Sequence, residues 1–461
     1  MARHQAWPFI AGTFAGLVTG AFVAWTGTGR RRNLDARLVR ALSRGREAPP
    51  LVVVPGLMGS QLLRPDGTQA WLNLGNAVGH HGLGLPRRLP LAESRDELRP
   101  GPLIGTDSVL PRVFGFTEYA DLIDLLESAG FVPELERGPC RYAVFSYDWR
   151  RDLVESARAL EGRLDALAAA RGEPGARFHL LGHSMGGLVV RYYLRYGGAE
   201  PGGEVTWAGA RRVASALLVA TPNGGALPSL DAILRGSRVG MSYTTLAASV
   251  VARMPAVYQL LPPGGSRVLL DPSGVPVEGD LLDHETWTRY GWPPFGPPVD
   301  ERRSGERVFV KAVLARARAF HDALGRTPRT PCPAPVTLVG GDCLPTLARA
   351  VVGEGPPGAA PRLEPKTPHE QDLMYEAGDG RVTRSSVLAA HCPSVDAPEP
   401  GCGIPEATRT YFGAADHHGL YADPAFQSLI LRLVLGPPGP PGAGVPAASA
   451  TPGLAGINPS D

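Results

Sequence analysis

The chain has 461 residues, 43% hydrophobic and 20% charged, with a net charge of +2 from 46 basic and 44 acidic side chains. This composition excludes a largely disordered chain, and the near-neutral balance excludes the broad basic surface that a nucleic-acid binder needs. The 58 glycines and 47 prolines imply long loops rather than a helical bundle, and five cysteines are too few, and odd in number, for a disulfide framework.

Residues 5–29 carry no charge, which exceeds the ~20 residues a helix needs to cross a bilayer. Trp7 and Trp25 fall about 27 Å apart on such a helix, one at each interface. Arg30, Arg31 and Arg32 follow at once and resist export of that flank. Residues 1–32 are therefore expected to form an uncleaved N-terminal membrane anchor, with the side of the body left open and a cleaved signal peptide as the rival. Gly12, Gly16 and Gly20 form a doubled G-x-x-x-G stripe, which would let two anchors pair into a homodimer; a glycine-rich composition is the plainer reading.

Residues 33–50 read as a polar, arginine-rich linker. The unalternating run Leu51–Val54 then predicts a strand covered on both faces. Further strands are expected over 142–147, 178–181, 216–220, 336–340 and 408–412. Helices are expected from Leu153 with Ala157, Leu160, Leu164 and Leu167 on one face, over 188–196, and over 423–435. Strand and helix in alternation predict an α/β fold, a mainly parallel sheet flanked by helices. Residues 65–112 and 225–333 break the pattern and are expected to be a lid-like insertion and a cap, all within one catalytic domain spanning 51–435. The Pro/Gly-rich tail from 436 to 461 should be disordered.

The sharpest local signal is Gly182-His183-Ser184-Met185-Gly186, a G-x-S-x-G pattern. Composition alone would produce it about 0.3 times in a chain of this length, so its placement must carry the weight. It lies between a predicted strand and a predicted helix, which is the context of a nucleophile elbow. A serine hydroxyl needs a base, usually histidine, oriented by a carboxylate. In this type of fold those partners come later in the order acid, then histidine. Asp379, in the turn Gly378-Asp379-Gly380, is the expected acid, with Asp342 as its rival. Asp416-His417-His418-Gly419 supplies the base. The oxyanion needs two backbone N–H donors; Met185, after the nucleophile, and Leu57, in the loop Pro55-Gly56-Leu57-Met58-Gly59, are the candidates. No C-x-x-C or H-x-x-x-H spacing points to a metal, and no cofactor is implied. Cys392 and Cys402 could bridge one loop or stay as two thiols.

Taken together, 52–62 (VVVPGLMGSQL), Tyr147-Asp148-Trp149-Arg150, the Ser184 elbow with Gly187, and Tyr375-Glu376-Ala377-Gly378-Asp379-Gly380 resemble the lecithin:cholesterol acyltransferase family. The resemblance runs from about residue 50 to 435 and fails in the two insertions. It implies an α/β-hydrolase with cap and lid that moves a fatty acyl group from a membrane phospholipid to an alcohol, or to water as a lipase or phospholipase does. It implies Ser184 as nucleophile, Asp379 as acid, and Leu57 and Met185 as oxyanion donors. The family's spacing from histidine to a following apolar residue selects His417, through Leu420, over His418. Trp71 loosely resembles the family's lid tryptophan, with plain loop packing as the other reading. The Asp148–Arg150 pair reads as structural. The cysteines of secreted family members have no counterparts here.

Overall fold

The computed structural model describes residues 48–436, except 72–80, 106–117, 135, 137–139, 239–244, 265–266, 297–302, 357 and 391–402. Seven parallel strands form the central sheet: β1 (Leu51–Val54), β5 (Val132–Pro133), β6 (Arg141–Val144), β7 (Phe178–His183), β8 (Val213–Val219), β9 (Val336–Gly341) and β12 (Ala407–Gly413). Their spatial order is β12-β9-β8-β7-β1-β6-β5. Three further strands near the start, β2 (Ser60–Leu63), β3 (Gln69–Trp71) and β4 (Arg99–Leu103), make a small antiparallel sheet. The hairpin β10 (Leu344–Leu347) and β11 (Tyr375–Gly378) lies outside the main sheet.

The apolar runs of β1, β7, β8 and β9 are nearly continuous because these inner strands are buried on both faces, whereas the edge strand β12 is largely exposed. Val52, Val54, Leu180, Leu218 and Leu338 point into one core cluster, with helices α2 (Leu153–Ala170) and α3 (Met185–Tyr196). The alternate residues Leu51, Val53, Leu181, Leu217, Val219 and Val339 point into a second cluster, with α1 (Glu118–Ser128) and α5 (Pro424–Leu435). Helix starts follow their caps: the Asp152 carboxylate accepts from Val154 N–H, and Asp423 accepts from Phe426 N–H ahead of Pro424. The structure has the parallel sheet flanked by helices that the alternation predicts, in the α/β-hydrolase arrangement that the resemblance implies.

Several elements differ from the sequence reading. The strand expected over 142–147 ends at Val144, because Tyr147 and Trp149 leave the sheet to bond the loop after β1. Helix α3 begins at Met185, directly after Ser184, rather than at 188. α1 and the β10–β11 hairpin were not expected at all. Inside 65–112 the described residues include β3 and β4, so part of that insertion completes a sheet. Inside 225–333 they form short helices, including Pro228–Arg235 and His284–Arg289, and the 22-residue α4 (Ser304–Gly325).

Among the described residues no helix is long and apolar enough to cross a membrane. The expected anchor over 1–32, its glycine stripe, most of the linker, the tail beyond Gly436, and Cys392 with Cys402 lie outside the described residues. Cys332 and Cys343 are free thiols.

Candidate active site

Ser184 follows β7 near the middle of the sheet and has φ 53° and ψ −125°, a conformation that side chains rarely adopt. Its N–H donates to Val219 O (2.8 Å), which anchors the turn to β8. The glycines of the motif make the turn sterically possible. A Cβ on Gly182 would stand 2.6 Å from Gly187 Cα, one on Gly186 would collide with the carbonyls of Val54 and Pro55, and one on Gly187 would collide with Thr221. So the flanking glycines permit close passage of α3 against β1 and β8, and the serine is thrust out at the carboxyl end of the sheet.

The loops after β12 and β11 meet it there. His417 Nε2 lies 3.1 Å from Ser184 Oγ, and His417 Nδ1 lies 2.8 Å from Asp379 Oδ2. His417 N–H also donates to Asp379 O (2.9 Å), so backbone and side chain both tie the two loops. Asp379 is buried. Its Oδ1 accepts the N–H groups of Arg381 (2.9 Å) and Val382 (2.7 Å). Burial alone would raise this carboxyl, but the adjacent His417 and these hydrogen bonds outweigh burial and hold it below the usual carboxylate range. An ionised Asp379 accepting from Nδ1–H leaves Nε2 free to take a proton from Ser184, a tautomer assigned here from the partners.

The rival residues point elsewhere. The Asp342 carboxylate pairs with Arg384 (3.0 Å) at the surface. His418 turns its ring at 88° to that of His417 and meets Glu118 (3.3 Å), with its side chain half exposed. Asp379 itself does not end a strand of the central sheet, as expected for a late acid; it follows the small hairpin β10–β11. Gly341, at the end of β9, makes room for it: a Cβ there would lie 3.0 Å from Asp379 Cβ and would collide with Ala415 O.

Gly56 passes directly over the serine, since a Cβ on it would lie 2.9 Å from Ser184 Cβ. The next residue, Leu57, has an N–H with no protein acceptor among the described residues. Met185 is the first residue of α3, so its N–H has no partner within the helix. Three of the peptides around Leu57 are pinned. Tyr147 O–H donates to Pro55 O (2.8 Å), Gly56 N–H donates to Tyr119 Oη (2.7 Å), Gly59 N–H donates to Gly56 O (3.1 Å), and Trp71 Nε1–H donates to Met58 O (3.1 Å). Met58 sits at φ 65° within this turn. Trp149 Nε1–H donates to Ser60 O (3.0 Å), and its ring packs edge-on against Trp71 at 5.6 Å.

Trp71 is thus fully buried and braces the loop after β1. The Tyr-Asp-Trp-Arg block does the same from the other side. Arg150 within it is fully buried, and burial works against its charge. Bonds to Asp148 and Asp96, which bring Arg150 N–H groups within 2.6–2.8 Å of carboxylate oxygens, outweigh that and hold the guanidinium protonated. These supporting groups were missed in the sequence, apart from the reading of Asp148–Arg150 as structural.

Comparison with known proteins shows what this chain is similar to. The family model for lecithin:cholesterol acyltransferase matches residues 111–291, and no curated protein matches the sequence. Among solved structures, the chain is similar to one in "The crystal structure of Tle4-Tli4 complex", at 16% identity and a TM-score of 0.51 over 84% of this chain and 98% of that one. It is also similar to the Bacillus licheniformis lipase BlEst2 in mature form (13% identity, TM-score 0.35, 84% and 92% covered) and to EstA from Clostridium botulinum (14%, 0.35, 86% and 90%). Family match and fold together support an enzyme that transfers or hydrolyses lipid acyl groups. The family-model match agrees with the resemblance read from the motifs, and the fold is that of an α/β-hydrolase.

Proposed function

We propose that this chain is a serine-dependent lipid O-acyltransferase, with Ser184 as nucleophile, His417 as base, Asp379 as the acid that orients it, and Leu57 and Met185 N–H as oxyanion donors. The observation that carries this reading is the continuous path Ser184 Oγ–His417–Asp379, at 3.1 and 2.8 Å, assembled from residues 233 and 38 positions apart. In the first half-reaction His417 Nε2 takes the Ser184 proton as Oγ attacks the ester carbonyl of a lipid. The tetrahedral oxyanion forms against the two backbone N–H groups, a contribution of about 3–4 kcal/mol per donor in comparable sites. The C–O bond to the leaving alcohol breaks as His417 returns the proton to it, which leaves an acyl-Ser184 ester. In the second half an acceptor alcohol gives its proton to His417 and attacks that ester, and Ser184 recovers the proton.

Hydrolysis is the second reading, with water in place of the alcohol; the same groups serve both, and water exclusion by the elements over the site sets the partition. We read residues 51–435 as one catalytic domain, with 65–112 and 225–333 as its lid-like and cap insertions. The uncharged segment over residues 5–29 fits a membrane anchor that would confine the site to its lipid, and its glycine stripe would serve a dimer. Incubating the full chain with acyl-labelled phospholipid and a panel of alcohols tests the reading. Labelled ester should form in excess of free acid, and both should vanish in Ser184→Ala. Free acid alone would make the enzyme a lipase, and label turnover in Ser184→Ala would remove the mechanism.

A further inference from the structure

Two buried side chains beside the site have no part in the acyl-transfer steps, yet each touches a loop that does. Tyr119, near the start of α1, and His183, next to the nucleophile, are 3% and 2% exposed. Gly56 N–H donates to Tyr119 Oη at 2.7 Å; Tyr119 Oη lies 2.8 Å from His183 Nδ1; His183 Nε2 lies 3.3 Å from His417 O. The direction of every bond is fixed from the ends. A backbone N–H can only donate, so the Tyr119 oxygen accepts from Gly56 and its single proton goes to His183 Nδ1. The proton of neutral His183 then sits on Nε2, where it meets a carbonyl that can only accept. Burial, reinforced by the nearby His417 and His418, pushes His183 well below its ordinary value, which agrees with a neutral ring.

The chain Gly56–Tyr119–His183–His417 joins the loop over the nucleophile to the loop that carries the base. Gly59 is shaped for it: a Cβ there would lie 3.0 Å from Tyr119 Cε2 and 3.1 Å from Tyr119 Oη. Tyr147 holds the carbonyl of the Pro55–Gly56 peptide while Tyr119 holds its N–H. That peptide cannot rotate, and it sets the direction of the next N–H, that of Leu57.

We infer that Tyr119 and His183 are positioning residues of the acyl-transfer site, which together hold the Leu57 N–H and His417 in register with Ser184. This inference rests on the proposed roles of Ser184, His417 and Leu57. Its signature is a loss of turnover without a loss of substrate binding, because an oxyanion donor and a base act on the transition state rather than on the bound ester.

The test uses the full chain, a short soluble p-nitrophenyl ester and a boronic-acid transition-state analogue. Tyr119→Phe keeps the ring and removes the hydroxyl. It should lower kcat per folded molecule about tenfold, weaken the boronic acid in parallel, and leave KM within about twofold; tenfold is modest beside the loss from deleting a donor outright, since the donor is misaimed rather than removed. His183→Gln, whose amide can accept from Tyr119 and donate onward, should recover much of the activity that His183→Leu loses. The double variant Tyr119→Phe/His183→Leu should be no worse than the poorer single one, as members of one chain are not additive. A melting temperature that falls while kcat, KM and boronic-acid affinity stay at wild-type values would overturn the inference and leave a purely structural pair. Ser184→Ala runs alongside: activity surviving there sinks the proposed function itself, whereas an inert Ser184→Ala beside a fully active Tyr119→Phe sinks only the positioning role.

Discussion

Glu406, immediately before β12, lies fully buried between two guanidinium groups. Arg191 Nε meets its Oε1 at 2.6 Å and Arg195 Nη1 meets its Oε2 at 2.8 Å, with all three side chains at most 3% exposed. The arginines are one turn apart on α3, so a single carboxylate serves both. Arg191 Nη2 and Arg195 Nη2 donate to the carbonyls of Leu324 and Arg326 at the end of α4, and Arg195 stacks over Trp207 at 5.6 Å. Glu406→Ala would strand two desolvated cations, a change that costs about 3–5 kcal/mol in buried pairs of this kind. At roughly 2 °C per kcal/mol for a chain of this size, the melting temperature should fall by roughly 6–10 °C. Burial alone would raise the Glu406 carboxyl, but Arg191 and Arg195 outweigh it and hold it below 4.5. A depressed carboxyl contributes stability above its unfolded pKa and loses it as pH falls through the folded value. The gap between wild type and variant should therefore be full at neutral pH and narrow below about pH 4.5. Turnover is a separate matter. Glu406 sits at the amino end of β12 and His417 beyond its carboxyl end, about 23 Å away along seven strand residues. Well below the melting range, kcat/KM on a soluble ester should stay within about threefold of wild type. Calorimetry across pH, with initial rates measured cold, checks both halves. An unchanged melting temperature would refute the ion-network reasoning, and a collapse of cold activity would refute the separation of fold from site.

Asp379→Asn should keep the fold and cut kcat by about 10⁴, because the amide favours the wrong imidazole tautomer. Asp342→Asn should stay near wild type, since its partner is the half-exposed Arg384; the reverse ranking would move the acid. His417→Ala should abolish turnover by about 10⁴ or more, and His418→Ala, whose side chain faces solvent and Glu118, should cost only a few-fold. His179 lies inside β7 against Ser215 (2.7 Å), and burial, with Arg177 nearby, pushes it from 6.5 to about 4. The unfolded chain takes that proton first, so stability is lost as pH falls from 6.5 toward 4, about 2 kcal/mol between pH 7 and pH 5. Urea unfolding should show His179→Gln losing that much less over the same range; parallel losses would contradict the assignment.

Most of the central sheet was legible because burial on both faces leaves a plain mark: Leu51–Val54 and the runs at 178, 216 and 336 are mainly apolar without alternation, whereas the edge strand at 408 is largely exposed. What escaped was structure whose cause lies elsewhere in the chain. α1 carries Asp121, Asp124 and Glu127 among its apolar residues, and its buried face is decided by packing on β1 and α5 rather than by a strong stripe. The β10–β11 hairpin pairs residues about thirty positions apart, beyond any turn signal. Strand ends were misplaced where side chains such as Tyr147 are drawn to a loop instead of the sheet.

The candidate site divides along the same line. Ser184, Asp379 and His417, the proposed reacting groups, could be picked out because such groups need particular residue types, in a fixed order, beside glycines that open the turns. The groups that aim them leave no such trace. Tyr119 acts on Gly56 from 63 positions away and on His183 from 64, and Tyr147 acts on Pro55 from 92. A tyrosine at the start of a helix or at a strand end is ordinarily packing, and only its hydroxyl's partner distinguishes it from phenylalanine. The one local hint was density: the 52–62 block and Tyr147-Asp148-Trp149-Arg150 were recognisable as units, although neither block was assigned more than one reactive atom. The structure explains part of that excess, since Tyr147 holds Pro55 O, Gly59 N–H holds Gly56 O and Trp149 holds Ser60 O around Leu57. Preorganisation of this kind is fixed in advance of the reaction and costs no rearrangement during it. Its residues are therefore as constrained in type as the reacting ones, while their positions in the chain are set by the fold rather than by any motif.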